Sequence, residues 1–111
     1  MKTNVTKLEE KAIEQFLKET RNSQKSNFVR AVLFGSRSRG EGDENSDVDI
    51  LIILKTVSPL IKNSVWDLAN DVFLEMEIDI SPLVMSKAQF QQLRNRERFL
   101  AREIDERGIE L

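Results

Sequence analysis

Residues 29–54 read VRAVLFGSRSRGEGDENSDVDILIIL, and the order of residue types in this stretch decides the fold. Val29 through Phe34 is a β-branched and aromatic run stopped by Gly35, the pattern of a strand that ends in a tight turn. Arg37 to Ser46 is polar and carries Gly40 and Gly42. Asp47 to Leu54 follows as the most apolar segment of the chain, and it predicts a second strand that is apolar on both faces except where it begins.

Outward from these strands the spacing becomes helical. From Val5 to about Thr20, the residues Leu8, Ala12, Ile13, Phe16 and Leu17 fall on one face with Lys and Glu between them, which predicts an amphipathic first helix. Ser58-Pro59 is an N-cap followed by proline at the first helical position. Leu60, Ile61, Val65, Leu68, Ala69, Val72 and Phe73 then supply the buried face of a second helix ending near Glu75, with Trp66 also expected in the core. Met76 to Ser81 alternates, so Met76, Ile78 and Ile80 would share one face of a third strand and Glu77, Asp79 and Ser81 the other. Pro82 either limits that strand or places it at an edge. Ser86 and Gln89 form a capping-box pattern, and Phe90, Leu93, Phe99, Leu100 and Ile104 make an interrupted apolar face that runs to Arg107-Gly108 as a third helix. This order defines an α/β fold: a small mixed β-sheet with helices packed against it, expected to form a single domain over residues 1–111.

Composition removes most kinds of chemistry. The chain has no Cys and no His, which excludes disulfides, thiolate nucleophiles, Cys-type zinc sites and Ser-His-Asp triads. Carboxylates, hydroxyls, Lys and Arg must carry any reaction. A formal net charge of -2 argues against direct nucleic-acid binding through bulk charge. No stretch approaches the roughly 20 apolar residues of a membrane span, and the opening MKTNVTKLEEKAIEQ lacks the apolar run of a signal peptide. A cytoplasmic location without a membrane partner is expected, and self-association is left open.

The residues that remain converge at the head of the second strand. Asp47 and Asp49 are two apart, so their side chains leave the same face with Cα atoms about 6.6 Å apart. At an effective dielectric near 20, two carboxylates at this separation repel by roughly 2 to 3 kcal/mol, and a bound divalent cation reverses that cost. An oxygen-only donor set selects Mg²⁺ or Mn²⁺, and two carboxylates leave positions open for water and phosphate, which suits phosphoryl or nucleotidyl transfer. Asp79 is the candidate third acid, as a second-metal ligand or a base, with Glu77 as its competitor on the same face. Upstream, Gly35 would let a phosphate approach the backbone, the Ser36 hydroxyl could bind it, and Arg37 or Arg39 could neutralise it.

Competing patterns fail on particular residues. A phosphate-loop reading of Gly35 to Gly40 finds Glu41 where Lys is required, and a calcium-loop reading of Asp43, Asn45 and Asp47 finds Val48 and Leu54 at the Gly and Glu positions. Arg94, Arg96, Arg98 and Arg102 are interleaved with Glu97, Glu103, Asp105 and Glu106, a solvated ion-paired face more than a nucleic-acid patch.

Gly35-Ser36, ten residues, and then Asp47-Val48-Asp49 resembles the signature of the polymerase-beta-like nucleotidyltransferase superfamily. FGSRSRGEGDENSDVDILI, residues 34–52, is similar to its minimal nucleotidyltransferase branch. The resemblance implies that Gly35 and Ser36 bind the nucleotide phosphates and that Asp47, Asp49 and Asp79 bind Mg²⁺ and form the catalytic set; of the two arginines, Arg39 is the better placed phosphate ligand if the turn begins a helix. It implies ATP as substrate and transfer of AMP to a hydroxyl of a partner protein. Larger relatives append domains that select base and acceptor; with none evident here, the acceptor would be bound by a partner or be the partner itself. Minimal members pair as antitoxins with a small helical HEPN-type toxin. A non-catalytic module that neutralises its partner by occlusion is the other class of function these residues allow.

Overall fold

A computed structural model of the chain describes residues 5–35, 47–96 and 98–111. Helix α1 (Lys7–Gln24) is opened by a reciprocal cap: the Thr6 hydroxyl accepts from the Glu9 N–H at 3.1 Å, and the Glu9 carboxylate accepts from the Thr6 N–H at 2.8 Å. Ala12, Ile13, Phe16 and Leu17 are buried along one stripe, and the Thr20 hydroxyl beneath them donates to the Phe16 carbonyl at 2.7 Å. The helix continues four residues past Thr20, ends in a 3₁₀ turn (Lys25–Asn27), and passes into β1 (Phe28–Phe34). Leu8, expected on the buried stripe, is instead half exposed at the outer edge of the first turn.

Strand β2 (Val48–Leu54) is buried at every residue except Asp49, which is half-buried. It pairs antiparallel with β1 and parallel with β3 (Ile80–Ser86), while β4 (Ile109–Glu110) joins the far side of β1. The sheet order is β3-β2-β1-β4, a mixed sheet as the sequence predicts. The parallel connection from β2 to β3 requires a crossover, supplied by α2 (Pro59–Met76). Ser58 caps α2 by accepting from the Ile61 N–H at 3.2 Å, and Val65, Ala69 and Val72 are its buried stripe.

Two helical layers sandwich the sheet. On one side Ala31, Leu33, Ile50, Ile52 and Leu54 meet α1 and α2. On the other Val32, Leu51 and Ile53 meet Phe90 of α3 (Lys87–Arg96) and Ile104 of α4 (Arg98–Arg107). Burial on both faces explains why β2 reads as continuous apolar sequence with no alternation. Among the described residues no helix is long and apolar enough to cross a membrane.

Three element boundaries differ from the sequence reading. The Met76–Ser81 alternation is not a strand: α2 extends through Met76, and Glu77 ends it in the left-handed conformation, φ 58° and ψ 27°, with its N–H donating to the Phe73 carbonyl at 2.8 Å. Strand β3 therefore starts at Ile80 and runs through Pro82 to Ser86. The Val48 N–H donates to the Asp79 carbonyl at 3.0 Å, so odd-numbered residues of β3 face β2 in the parallel ladder and the Pro82 nitrogen faces outward from an edge strand. The third helix is two. In one continuous helix Arg94 and Asp105 would lie about 16 Å apart along the axis, yet they pair at 2.9 Å, because α4 folds back over α3. Gly108 closes α4, its N–H donating to the Ile104 carbonyl at 2.9 Å where a Cβ would strike Val32.

Side-chain placement also corrects the apolar face assigned to α2. Leu60, Trp66 and Phe73 are 78%, 43% and 47% exposed. Helical periodicity narrows the covered stripe to Ile61, Val65, Leu68, Ala69, Val72 and Met76, and Trp66 and Phe73 fall just beside it. Phe99 of α4 is likewise 88% exposed.

Candidate active site

The acids gather at one end of the sheet because of strand register. Asp49 lies opposite Phe34 of β1 on one side and Ser81 of β3 on the other. Carrying that parallel register back two residues sets Asp47 level with Asp79. All three acids project on the side of the sheet that carries Leu51 and Ile53, the layer of α3 and α4. Asp47 and Asp79 are exposed, and Asp49 is half-buried between its two neighbouring strands.

Electrostatics couples the trio through Asp47. The Asp49 carboxyl is raised above its ordinary 3.8, first by burial and then by the charge of Asp47. Asp79 is raised by burial, by the charge of Asp47, and by a side-chain hydrogen bond to Asp47. Glu77, the competing third acid, is the left-handed terminator of α2, whereas Asp79 lies level with Asp47 in the parallel register.

Gly35 stands against this cluster. Its φ is 79°, and a Cβ built there would lie 2.7 Å from Asp49 Oδ2. The turn favours glycine, and any side chain there would also push the Asp49 carboxylate aside. Ser36, Arg37 and Arg39 lie outside the described residues. Ser81 was not singled out by the sequence reading, yet it sits level with Asp49 on the same face, half-buried. Its even spacing from Asp79 was the available signal.

Among the described residues no three acids converge as a ready-made metal cage. The donor set nevertheless fits Mg²⁺ or Mn²⁺, which take one or two carboxylates and complete their shell with water and phosphate oxygens. Asp49 is raised first by burial and only second by the charge of Asp47, and a cation bound beside it would favour the charged form against both. The arginine-rich C-terminal helices are ion-paired where the pairs are described, Arg94 to Asp105 and Arg102 to Glu106.

Residues 12–107 match the protein family described as the nucleotidyltransferase domain, and the chain belongs to that family. The sheet with its two helical layers is the polymerase-beta-like nucleotidyltransferase fold in its minimal form. Over 76 residues the chain is 38% identical to a candidate protein adenylyltransferase of Methanocaldococcus jannaschii, covering 68% of this chain and 77% of that protein. A candidate minimal nucleotidyltransferase of known structure superposes with a TM-score of 0.60 at 21% identity, over 96% of this chain and 97% of that one. A chain from the complex of tri-AMPylated Shewanella oneidensis HEPN toxin with MNT antitoxin gives a TM-score of 0.52 at 16% identity, over 93% of this chain and 70% of that one. At these identities the two structures share the fold with this chain.

Proposed function

We propose that this protein transfers AMP from ATP, with Mg²⁺ or Mn²⁺, onto a hydroxyl of a partner protein in the cytoplasm, and that the partner is a HEPN-type toxin for which this chain is the antitoxin. The observation that carries this reading is the placement of Asp47, Asp49 and Asp79 on one face at the heads of adjacent strands, with Gly35 against the Asp49 carboxylate. Asp47 and Asp49 would hold the cation, which when bound neutralises charge on the triphosphate. Gly35 and Ser36 bind its phosphates, and Arg39 offsets their charge. Asp79 accepts the proton of the acceptor hydroxyl as that oxygen bonds to the α-phosphorus; the bond from the α-phosphorus to its bridging oxygen breaks, and pyrophosphate leaves. A carboxyl raised above its ordinary value is a better proton acceptor than a fully solvated one. The named activity of the Methanocaldococcus jannaschii relative and the AMPylated toxin beside the Shewanella oneidensis antitoxin support this choice of donor and acceptor.

The test is intact mass of a HEPN-type partner incubated with this protein, ATP and Mg²⁺. One or more AMP additions are expected, and they should vanish with Asp47→Asn while the two proteins still associate. A partner neutralised equally by the Asp47→Asn variant, with no added mass in either reaction, would replace this reading with neutralisation by occlusion.

A further inference from the structure

Helix α1 has a second surface beside the stripe it buries. Between α1 and the C-terminal residues Glu110 and Leu111 runs an open groove of about 580 Å³, on the α1 and α2 side of the sheet and therefore on the face opposite the acids. Its floor is Ile13, Leu17 and Leu33, with half-buried Val5 and Leu111 at its ends. Along the α1 rim stand Glu10, Glu14, Lys18 and Arg21, spaced so that all four fall on one side of the helix. Arg21 is fixed at the end of the rim, stacked over the Phe28 ring at 4.9 Å and donating to the Leu111 carbonyl at 3.2 Å. Glu10, Glu14 and Lys18 make no ion pair among the described residues.

We propose that this groove is an interface between two copies of the chain, closed by α1 of the second copy packed antiparallel about a two-fold axis level with Phe16. The charge order is the argument. Read from the N-terminus the rim runs negative, negative, positive, positive, so it is its own complement when reversed. The axis sets Glu14 opposite Lys18 of the second copy and Glu10 opposite its Arg21, and symmetry makes each pair twice. A small charged ligand would meet both signs on the same rim, whereas an antiparallel copy meets the opposite sign at every position. The contact also covers Val5 and Leu111 and lies alongside the short β4 edge. Because Asp49 faces the other side of the sheet, both sets of acids stay open in the dimer. The proposal is independent of the reaction assigned above.

Sedimentation of the full chain alone, over rising concentration at low salt, tests it. A concentration-dependent dimer is expected. Glu14→Lys and Lys18→Glu should each weaken it by about tenfold or more, since two attractive contacts become repulsive. Glu14→Lys combined with Lys18→Glu in one chain should restore the dimer, and mixing the two single variants should give a heterodimer, with helicity by circular dichroism showing each variant folded. A wild-type chain that stays monomeric to near-millimolar concentration overturns the proposal. So does a dimer that neither single change weakens, or one that the combined change fails to restore.

Discussion

At Gly35 the backbone turns through φ 79°, and the nearest foreign atom to the missing side chain is Asp49 Oδ2. Gly35→Ala combines a left-handed alanine, worth roughly 1–2 kcal/mol, with displacement of a carboxylate from 2.7 Å. Urea denaturation should show a loss of about that size, and transfer activity should fall further than the lost folded fraction explains. The acids themselves make a separate prediction about pH. Asp49 and Asp79 are both raised above 3.8, burial acting first and Asp47 second. The folded state therefore holds more protons than the unfolded chain from about 3.8 upward through the raised values, and the contribution of these groups to stability is largest below that interval and is lost as pH rises through it. Asp49→Asn or Asp79→Asn should flatten this part of the profile and stabilise the metal-free protein at neutral pH by something on the order of 0.2–1 kcal/mol, the range for exposed charge pairs. Thermal melts with and without Mg²⁺ check both halves: the cation should raise the wild-type midpoint and do less for Asp49→Asn. Asp47 and Asp49 were legible in the sequence as a same-face pair at the head of a strand, since a period of two needs no tertiary information. Asp79 was legible only as a choice against Glu77, because the choice depends on where α2 stops.

Helix α2 stops at Glu77 with a non-glycine residue in the left-handed conformation. Nothing in the local sequence announces this; the usual glycine is absent, and the alternation from Met76 to Ser81 imitates a strand. Glu77→Gly should relieve the strain and stabilise the fold by up to about 1 kcal/mol. It should leave nucleotide transfer intact, whereas Asp79→Asn should reduce it by a hundredfold or more, about the contribution of a positioned base. Transfer assays on the two variants side by side distinguish the acids directly, and loss of activity in Glu77→Gly would reverse their roles. On the same helix the aromatic residues were misjudged because a 3.6-residue period gives direction but not width. Trp66 stands about 100° from Val65 around the axis, beyond the covered stripe. As the single Trp of the chain, it should be readily quenched by acrylamide, and Trp66→Gln should change stability by less than about 0.5 kcal/mol. Ile50→Ala, in the middle of β2 and fully buried, should cost about 2–5 kcal/mol.

Across the whole molecule, the order of elements through α3, the mixed sheet and the two-sided burial of β2 follow from patterns spread over many residues, which single misplacements do not upset, whereas the two-residue β4 after Gly108 is too short to leave a pattern. The fold-back between α3 and α4 does not follow, because Leu93, Leu100 and Ile104 satisfy one long helix as well as two short ones; contact between Arg94 and Asp105 separates the cases. Composition adds a prediction at this scale. The chain has no Tyr, and a phenol supplies more reactive anion near neutral pH than the hydroxyls of Ser or Thr. With labelled ATP and Mg²⁺ the isolated protein should stay largely unlabelled, and label should appear on an added partner; stoichiometric self-labelling abolished by Asp47→Asn would contradict the assigned acceptor. Among the described residues the sheet has two unpaired margins, and they are unequal. At the β3 margin the Pro82 nitrogen points outward and has no hydrogen to give, so a foreign strand laid along it finds a gap in the row of donors between Ile80 and Val84. A second chain that meets this margin forgoes a hydrogen bond in mid-strand, which disfavours the sheet-to-sheet growth that leads to fibres.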